Sequence, residues 1–129
     1  MKTINRIMTN ICSDNLVKSR DFYAKLFDLN IEYDSDWFIH LISKDKTLEL
    51  GIIDRTNELV PKGFQNTPQG FYVTFVVDDV DEIFKIAELE GFEIVNKPTN
   101  TFYGQRRLLL KDPNGVLIDV SSPIKNFKI

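Results

Sequence analysis

The strongest constraint on this chain is that one pattern of strands and helices occurs twice. A strand pattern over Ile4–Ile11 leads into the helical segment LVKSRDFYAKLF, and three short strand patterns follow. The same order restarts at Phe71–Val77 (FYVTFVV). Sliding one half on the other by 64 residues sets Ile11 over Phe75. The repeat predicts an α+β fold built from two tandem βαβββ modules.

Turn and cap residues mark the ends of these elements. Asn15 and Asp79 have the side chains that cap helix N-termini, and Gly91 suits the position after a helix. We expect one domain over residues 1–129, with a first module at about 3–55, a linker at 56–69 and a second module at about 70–125. The remaining strands are predicted over Ile31–Tyr33, Trp37–Ile42, Leu48–Ile53, Phe92–Val95, Gln105–Leu110 and Val116–Val120.

Composition excludes several classes of function. The chain has 129 residues, 16 basic against 19 acidic, and its basic residues are scattered. It therefore has no concentrated positive patch for nucleic acid or an anionic membrane. Cys12 is the single cysteine, and Met1–Asn15 has no apolar run like that of a signal peptide. We expect a cytoplasmic protein with no membrane-spanning segment, because no stretch approaches roughly 20 apolar residues.

Four segments carry a resemblance to a known family: DFYAKLF, VVDDVDE, FYGQRR and KDPNGVLIDV, the last at Lys111–Val120. With them the chain resembles the vicinal oxygen chelate superfamily, which includes glyoxalases, bleomycin resistance proteins and extradiol dioxygenases. The resemblance implies a curved, cup-shaped mixed sheet with the helices outside and a small-molecule ligand inside the cup. It also implies a homodimer.

Strand alternation places Ile7, Leu48 and Phe71 on the core faces of the first, fourth and fifth strands, and it predicts which side chains face away from the helices. These are Met8 and Asn10 on the first strand, Glu49 on the fourth, Tyr72 and Thr74 on the fifth, and Asp119 on the eighth. In the last strands an offset of 70 residues sets Glu49 on Asp119.

The resemblance gives four of these positions a further meaning. Met8, Glu49, Tyr72 and Asp119 match the places where metal-binding relatives carry His or Gln on the opening strands and Glu on the closing ones. A thioether and a neutral phenol are poor partners for hard divalent ions. We therefore expect no cofactor and assign no residue to a metal. Weak binding of Mg²⁺ or Mn²⁺ by the two carboxylates stays open as an alternative.

Glu49 and Asp119 are the candidate catalytic residues. If they converge without a metal, their repulsion should raise at least one pKa and leave a proton shared between them. The alternative is that each carboxylate is solvated or paired with Arg6, Arg106 or Arg107.

An aromatic and arginine-rich set suits a flat ligand with polar edges. Trp37, Phe38, Phe102 and Tyr103 supply rigid apolar area, although aromatic side chains more often belong to the core. Arg106 and Arg107 are adjacent in a predicted strand, so one of them should face solvent. We assign Arg106 to the ligand.

Three further residues or segments have two interpretations each. His40 is either a packed histidine or a cup-facing acid or base that binds the ligand. Cys12 is a buried thiol or, less favourably, a nucleophile. Residues 57–69 are a flap over the cup or a plain linker.

Three functions compete. The first is a small-molecule-binding protein similar to bleomycin resistance proteins, without the usual catalytic metal site. The second is an enzyme: a lyase or isomerase similar to glyoxalase I with a weak oxygen-ligated metal, or an acid–base catalyst using Glu49 and Asp119. The third is a structural dimer whose cup is filled by its own side chains.

Overall fold

The sheets and helices of the chain follow the predicted repeat. A computed structural model describes residues 3–127, and it divides the chain into two compact units, one up to Thr67 and one from Pro68 onward. We refer to them as module 1 and module 2. Within the described residues the elements are β1 (Thr9–Ser13), α1 (Leu16–Phe27), β2 (Asn30–Asp34), β3 (Phe38–Ile42), β4 (Glu49–Asp54), a 3₁₀ helix (Lys62–Phe64), β5 (Tyr72–Val76), α2 (Val80–Glu90), β6 (Glu93–Asn100), β7 (Gln105–Lys111) and β8 (Leu117–Pro123).

Each module contains one four-stranded mixed sheet. The strand order is β1-β4-β3-β2 in module 1 and β5-β8-β7-β6 in module 2. The first strand of each module runs parallel to the last one, and the other neighbours are antiparallel. The prediction of an α+β fold from two βαβββ modules is confirmed.

In module 1 a helix covers one face of the sheet. Asn15 caps α1 by accepting a hydrogen bond from the amide of Lys18 at 3.0 Å, and Asp28 ends it in the left-handed conformation. The buried side chains of α1 are Ser19, Phe22, Tyr23 and Leu26. They share the core with Ile11, Ile39, Leu41, Leu50 and Ile52 from the strands. Burial of each large apolar side chain contributes about 1.5–3 kcal/mol.

Module 2 is built in the same way. Asp79 caps α2, and Gly91 follows it with a φ of 72°, which only glycine adopts at little cost. Val80 and Ala87 are the buried residues of this helix. The strands add Leu108, Leu110, Ile118 and Val120 to the core. Within residues 3–127 no helix has both the length and the apolar character needed to cross a lipid bilayer.

Three apolar positions predicted to belong to the core face are exposed. Ile7 is 85% exposed, Leu48 68% and Phe71 44%. Each lies just before the strand to which it was assigned, since β1, β4 and β5 begin at Thr9, Glu49 and Tyr72. Alternation identifies the face of a strand, but it does not show where the strand begins or how far the helix above it reaches.

Candidate functional site

The face of each sheet that points away from its helix is called here the open face. In module 1 it carries Asn10, Gly51 and His40 side by side on β1, β4 and β3. The neighbours of His40 on β3, Ile39 and Leu41, are buried in the core. The undecided orientation of His40 is therefore settled: its side chain lies on the open face.

Gly51 makes room for the polar side chain beside it. A Cβ atom at this position would lie 2.1 Å from Asn10 Oδ1 and 3.1 Å from the ring of Phe38. Because glycine has no side chain, the Asn10 amide lies over the backbone of β4. This residue was not singled out from the sequence, where a glycine in a strand pattern was the only signal.

Glu49 lies at the centre of an ionic cluster on the open face of module 1. The Arg6 guanidinium donates through Nε to Glu49 Oε2 at 2.7 Å and through Nη2 to Oε1. His40 Nε2 lies 2.9 Å from Glu49 Oε1. The hydrogen bond from Arg6 and, to a smaller extent, the one from His40 hold the pKa of Glu49 below its usual value. The sharing of a proton between Glu49 and Asp119 would require a raised pKa at one of them, and at Glu49 the pKa moves in the opposite direction.

Met8 and a cleft border this cluster. The Met8 sulfur lies 3.7 Å from Arg6 Nη2 and accepts a weak hydrogen bond from it. A cleft of about 530 Å³ extends from Arg6 and Glu49 to the turn that contains Lys46 and Thr47. Its volume falls in the range of small-molecule sites.

Aromatic rings line the neighbouring part of module 1. The centroids of Trp37 and Phe38 are 5.5 Å apart, and Phe38 lies 6.5 Å from Tyr33. Phe38 is two residues from His40, on the same face of β3. From the sequence, Trp37 is assigned to the ligand and Phe38 is grouped with it as aromatic surface, whereas Tyr33 is not singled out.

The open face of module 2 centres on Asp119. This residue is buried, with 6% of its surface exposed. Thr74 donates to its Oδ2 at 3.0 Å, and Ser121 donates to its Oδ1 at 2.8 Å. Arg107 Nε lies 3.2 Å from the same Oδ1. Tyr72 is exposed on the same face of β5 as Thr74.

The two adjacent arginines lie on opposite faces of β7. Arg106 alternates with the buried Leu108, and its guanidinium pairs with Asp81 at the start of α2, with Nε 3.1 Å from Oδ2. Its Nη1 donates to Asn100. Arg107, not Arg106, shares a face with Asp119. The sequence analysis assigned Arg106 to the ligand and so did not identify the arginine that lies next to this carboxylate.

Phe102 and Tyr103 form a separate aromatic pair. Both lie in the turn between β6 and β7, with ring centroids 5.3 Å apart and edge to face. Phe102 is 91% exposed. Gly104 closes the turn with a φ of 88°, and the Phe127 ring occupies the space where a Cβ would project.

The register of the two sheets corrects one pairing predicted from the repeat. Asn10 lies beside Gly51 in module 1, and Thr74 lies beside Asp119 in module 2. Asn10 and Thr74 are 64 residues apart, the offset that also relates the first residues of α1 and α2. The structural counterpart of Asp119 is therefore Gly51. Glu49 lies two residues before Gly51. The predicted pairing of Glu49 with Asp119 was therefore wrong, by two residues.

Cys12 lies against the part of module 1 that follows β4. Its sulfur is 3.8 Å from the Phe64 carbonyl oxygen, and Arg55 donates to the Gln65 carbonyl at 3.0 Å. Burial raises the pKa of the Cys12 thiol, although Arg55 opposes this shift. A raised pKa favours the interpretation of Cys12 as an unreactive thiol.

The two carboxylates of the open faces already have hydrogen-bond or ionic partners. Within residues 3–127 no three His, Cys, Asp or Glu side chains form a group that could hold a metal ion. Both oxygens of Glu49 accept hydrogen bonds from Arg6, and Asp119 has two hydroxyl donors and Arg107 around it. A cation brought to either carboxylate would meet a guanidinium already in place.

Comparison with known proteins places the chain in a family. The model of the Glyoxalase/Bleomycin resistance protein/Dioxygenase superfamily matches residues 3–120. Because the match spans most of its length, the chain belongs to this superfamily. No curated protein matches it.

Solved structures share the fold. A glyoxalase/bleomycin resistance protein/dioxygenase family enzyme from Burkholderia phytofirmans PsJN is 22% identical, with a TM-score of 0.76 over 91% of this chain and 97% of that one. Lactoylglutathione lyase from Agrobacterium tumefaciens is 20% identical, with a TM-score of 0.70 over 94% and 96% of the two chains. At these identities the likeness shows the fold alone.

Proposed function

We propose that the chain is a small-molecule-binding member of its superfamily, which holds its ligand on the open face of a module without a catalytic metal on Glu49 or Asp119. The observation that carries this proposal is that both carboxylates have guanidinium partners inside their own modules. Their charge is compensated without a metal ion, which leaves hydrogen-bonding surfaces that suit an organic ligand.

The surroundings of Glu49 favour a ligand that is flat and polar at its edge. The cleft beside Arg6 has room for a small organic molecule. Asn10 and His40 present polar atoms on the same face, and the Trp37–Phe38 pair supplies aromatic surface next to them.

A thermal-shift screen of aromatic acids, amides and heterocycles tests this proposal. Compounds that raise the Tm of the wild type are tested again on Asn10→Ala and Tyr72→Ala, which alter the two open faces. Val17→Ala and Leu89→Ala are matched controls, because these side chains are exposed on α1 and α2. We expect at least one open-face variant to lose the shift while both controls keep it. Shifts that persist in both open-face variants would overturn the proposal, as would the absence of any stabilising compound.

We also propose that the chain works as a homodimer, as its resemblance to the superfamily implies. Sedimentation at micromolar concentration measures the mass directly. The expected mass is twice the 15.0 kDa of one chain, and a mass of one chain would refute the proposal.

A second candidate function is catalysis, and a specific contact favours it. His40 Nε2 lies 2.9 Å from Glu49 Oε1, an arrangement in which a carboxylate orients an imidazole. With a hydrogen on Nε2, the ring keeps Nδ1 as an acceptor for a substrate proton. One solved neighbour is named lactoylglutathione lyase, so lactoylglutathione lyase activity should be assayed in the wild type and in His40→Asn. Activity that falls in His40→Asn would support this candidate, and the absence of activity would count against this reaction.

A further inference from the structure

Part of the Arg107 guanidinium makes no hydrogen bond to the described residues. Its Nε lies 3.2 Å from Asp119 Oδ1 but lacks the alignment of a hydrogen bond. Among residues 3–127 no acceptor pairs with its two terminal nitrogens. In contrast, Arg6 places both of its bonding nitrogens on Glu49. The guanidinium of module 2 therefore retains a free planar fork, the geometry that binds a carboxylate with two parallel hydrogen bonds.

Asp119 holds Arg107 without occupying this fork. The carboxylate already accepts hydrogen bonds from Thr74 and Ser121, and its side chain is only 8% exposed. It can therefore fix the Nε end of the guanidinium by its charge while its own oxygens are satisfied. No hydrogen bond joins the terminal nitrogens to Asp119, and Nε is the guanidinium atom nearest to this carboxylate.

A second group without a partner lies on the same face of β7. Gln105 is two residues before Arg107, so their side chains project on the same side of the sheet. The Gln105 Oε1 atom is buried and has no hydrogen-bond partner. A buried acceptor without a partner is destabilising, and a ligand hydroxyl or amino group would satisfy it.

We propose that Arg107 and Gln105 recognise a small molecule that carries a carboxylate and, close to it, a hydroxyl or amino group. This inference rests on the proposed binding function and names its ligand class. The carboxylate binds the terminal nitrogens of Arg107, and the neighbouring donor binds Gln105 Oε1. A single guanidinium suits a carboxylate better than a phosphate dianion, because the nearest other cation on this face of β7, Lys111, lies four residues farther along the strand.

Three probes that differ by one group test the proposal. Mandelate has both features, phenylacetate lacks the hydroxyl, and mandelamide lacks the charge. Each is titrated into the protein while its amide resonances are followed by heteronuclear NMR. We expect mandelate to bind about tenfold more tightly than mandelamide, as a charge-assisted pair implies, with the largest shifts at residues 105–107 and 119–121.

Substitutions of Arg107 and Arg106 show which of the two arginines binds the carboxylate. Arg107→Gln should bring mandelate and mandelamide to equal affinity, and Gln105→Leu should remove the preference for mandelate over phenylacetate. Arg106→Gln tests the assignment made from the sequence and should leave both preferences intact, since Arg106 pairs with Asp81. Lys97→Gln on β6 removes the same charge at an exposed position and is the control.

Several results would overturn the inference. These are equal affinity of the wild type for mandelate and mandelamide, retention of the preference in Arg107→Gln, or its loss in Arg106→Gln alone. Equal binding of mandelate and phenylacetate would remove the role of Gln105. If none of the probes binds, the inference fails, and the thermal-shift screen decides the proposed function separately: neutral compounds that bind the open faces would leave that function standing.

Discussion

The two modules have the same backbone plan and different chemistry on their open faces. In module 1 the arginine is Arg6, which precedes β1 and donates hydrogen bonds from two of its nitrogens to Glu49. In module 2 the arginine is Arg107, within β7, and its shortest contact with Asp119, at Nε, is not a hydrogen bond. The strand order, helix position and helix cap are shared, whereas the donors available to a ligand are not.

This difference shows which features the repeat preserves. The core faces need apolar side chains at every second position, so the two halves keep the same alternation. An open face has no such requirement, and the position of Asp119 in module 2 is occupied by Gly51 in module 1. Function therefore has to be argued for each module from its own side chains.

The greatest loss of stability is expected from substitutions in the two cores, and these substitutions test whether the cores are equivalent. Ile52 in module 1 and Ile118 in module 2 are both fully buried. Changing either one to alanine should lower the free energy of unfolding by about 2–5 kcal/mol, because a cavity is left in a packed core. Urea denaturation measures both. A loss in one variant and none in the other would show that the modules are not packed alike.

A smaller effect is expected from the carboxylate of module 2. Asp119→Ala leaves the hydroxyls of Thr74 and Ser121 without their acceptor and Arg107 without its partner. We expect a loss of about 1–3 kcal/mol in the free energy of unfolding. Ser121→Ala removes one donor and leaves the carboxylate, so it should cost less in the same measurement. An unchanged stability of Asp119→Ala would contradict the structural role given to this residue.

The counterpart of Asp119 in module 1 should tolerate substitution better. In Gly51→Ala the new Cβ meets the end of the Asn10 side chain, which can rotate away, and the Phe38 ring at 3.1 Å. We expect a loss of stability smaller than that of Asp119→Ala, together with a shift in the side-chain amide resonances of Asn10. Unchanged Asn10 resonances would show that its amide does not lie over β4.

The smallest effect is a dependence on pH in module 1. The pKa of Glu49 is lowered in the folded state, chiefly by Arg6. The contribution of Glu49 is therefore present above its ordinary pKa of about 4.3 and is lost as the pH falls through the lower folded value. The wild type should be more stable than Glu49→Gln near neutral pH, and the difference should shrink below about pH 4.

Hydrogen bonds from Ser43 and Thr47 lower the pKa of Asp45, and hydrogen bonds from Thr56 lower that of Asp54. Comparing Glu49→Gln with the wild type separates the effect of Glu49 from the titration of these two residues. Because Asp45 and Asp54 titrate in both proteins, their contributions cancel in the difference in stability between the wild type and Glu49→Gln. A difference in stability that grows as the pH falls would have the wrong sign for this account.

The sequence predicted the fold and the faces of its strands, because both follow from local periodicity. The helix stripes, the caps at Asn15 and Asp79 and the open-face positions of Asn10 and Asp119 agree with the structure. Sheet register was not predictable in the same way. Alternation has a period of two, so a shift of two residues keeps every side chain on its face, and Glu49 was matched with Asp119 for that reason.

The sequence pattern also could not identify the ion-pair partners of the charged residues. Arg6 and Arg107 were considered as partners of the carboxylates, but the choice between Arg106 and Arg107 depends on the phase of β7 relative to α2. His40 lies on a strand with apolar residues on both faces, so no pattern could orient it. Whether the predicted site residues act together on a ligand stays a prediction.

We propose that arginines, and not a metal ion, compensate the carboxylates on the open faces. Calorimetric titration of Mn²⁺ into protein purified without chelators tests this proposal. We predict no stoichiometric binding in the wild type, and no change in that result for Glu49→Gln. Stoichiometric binding with micromolar affinity that disappears in Glu49→Gln or Asp119→Asn would contradict the claim.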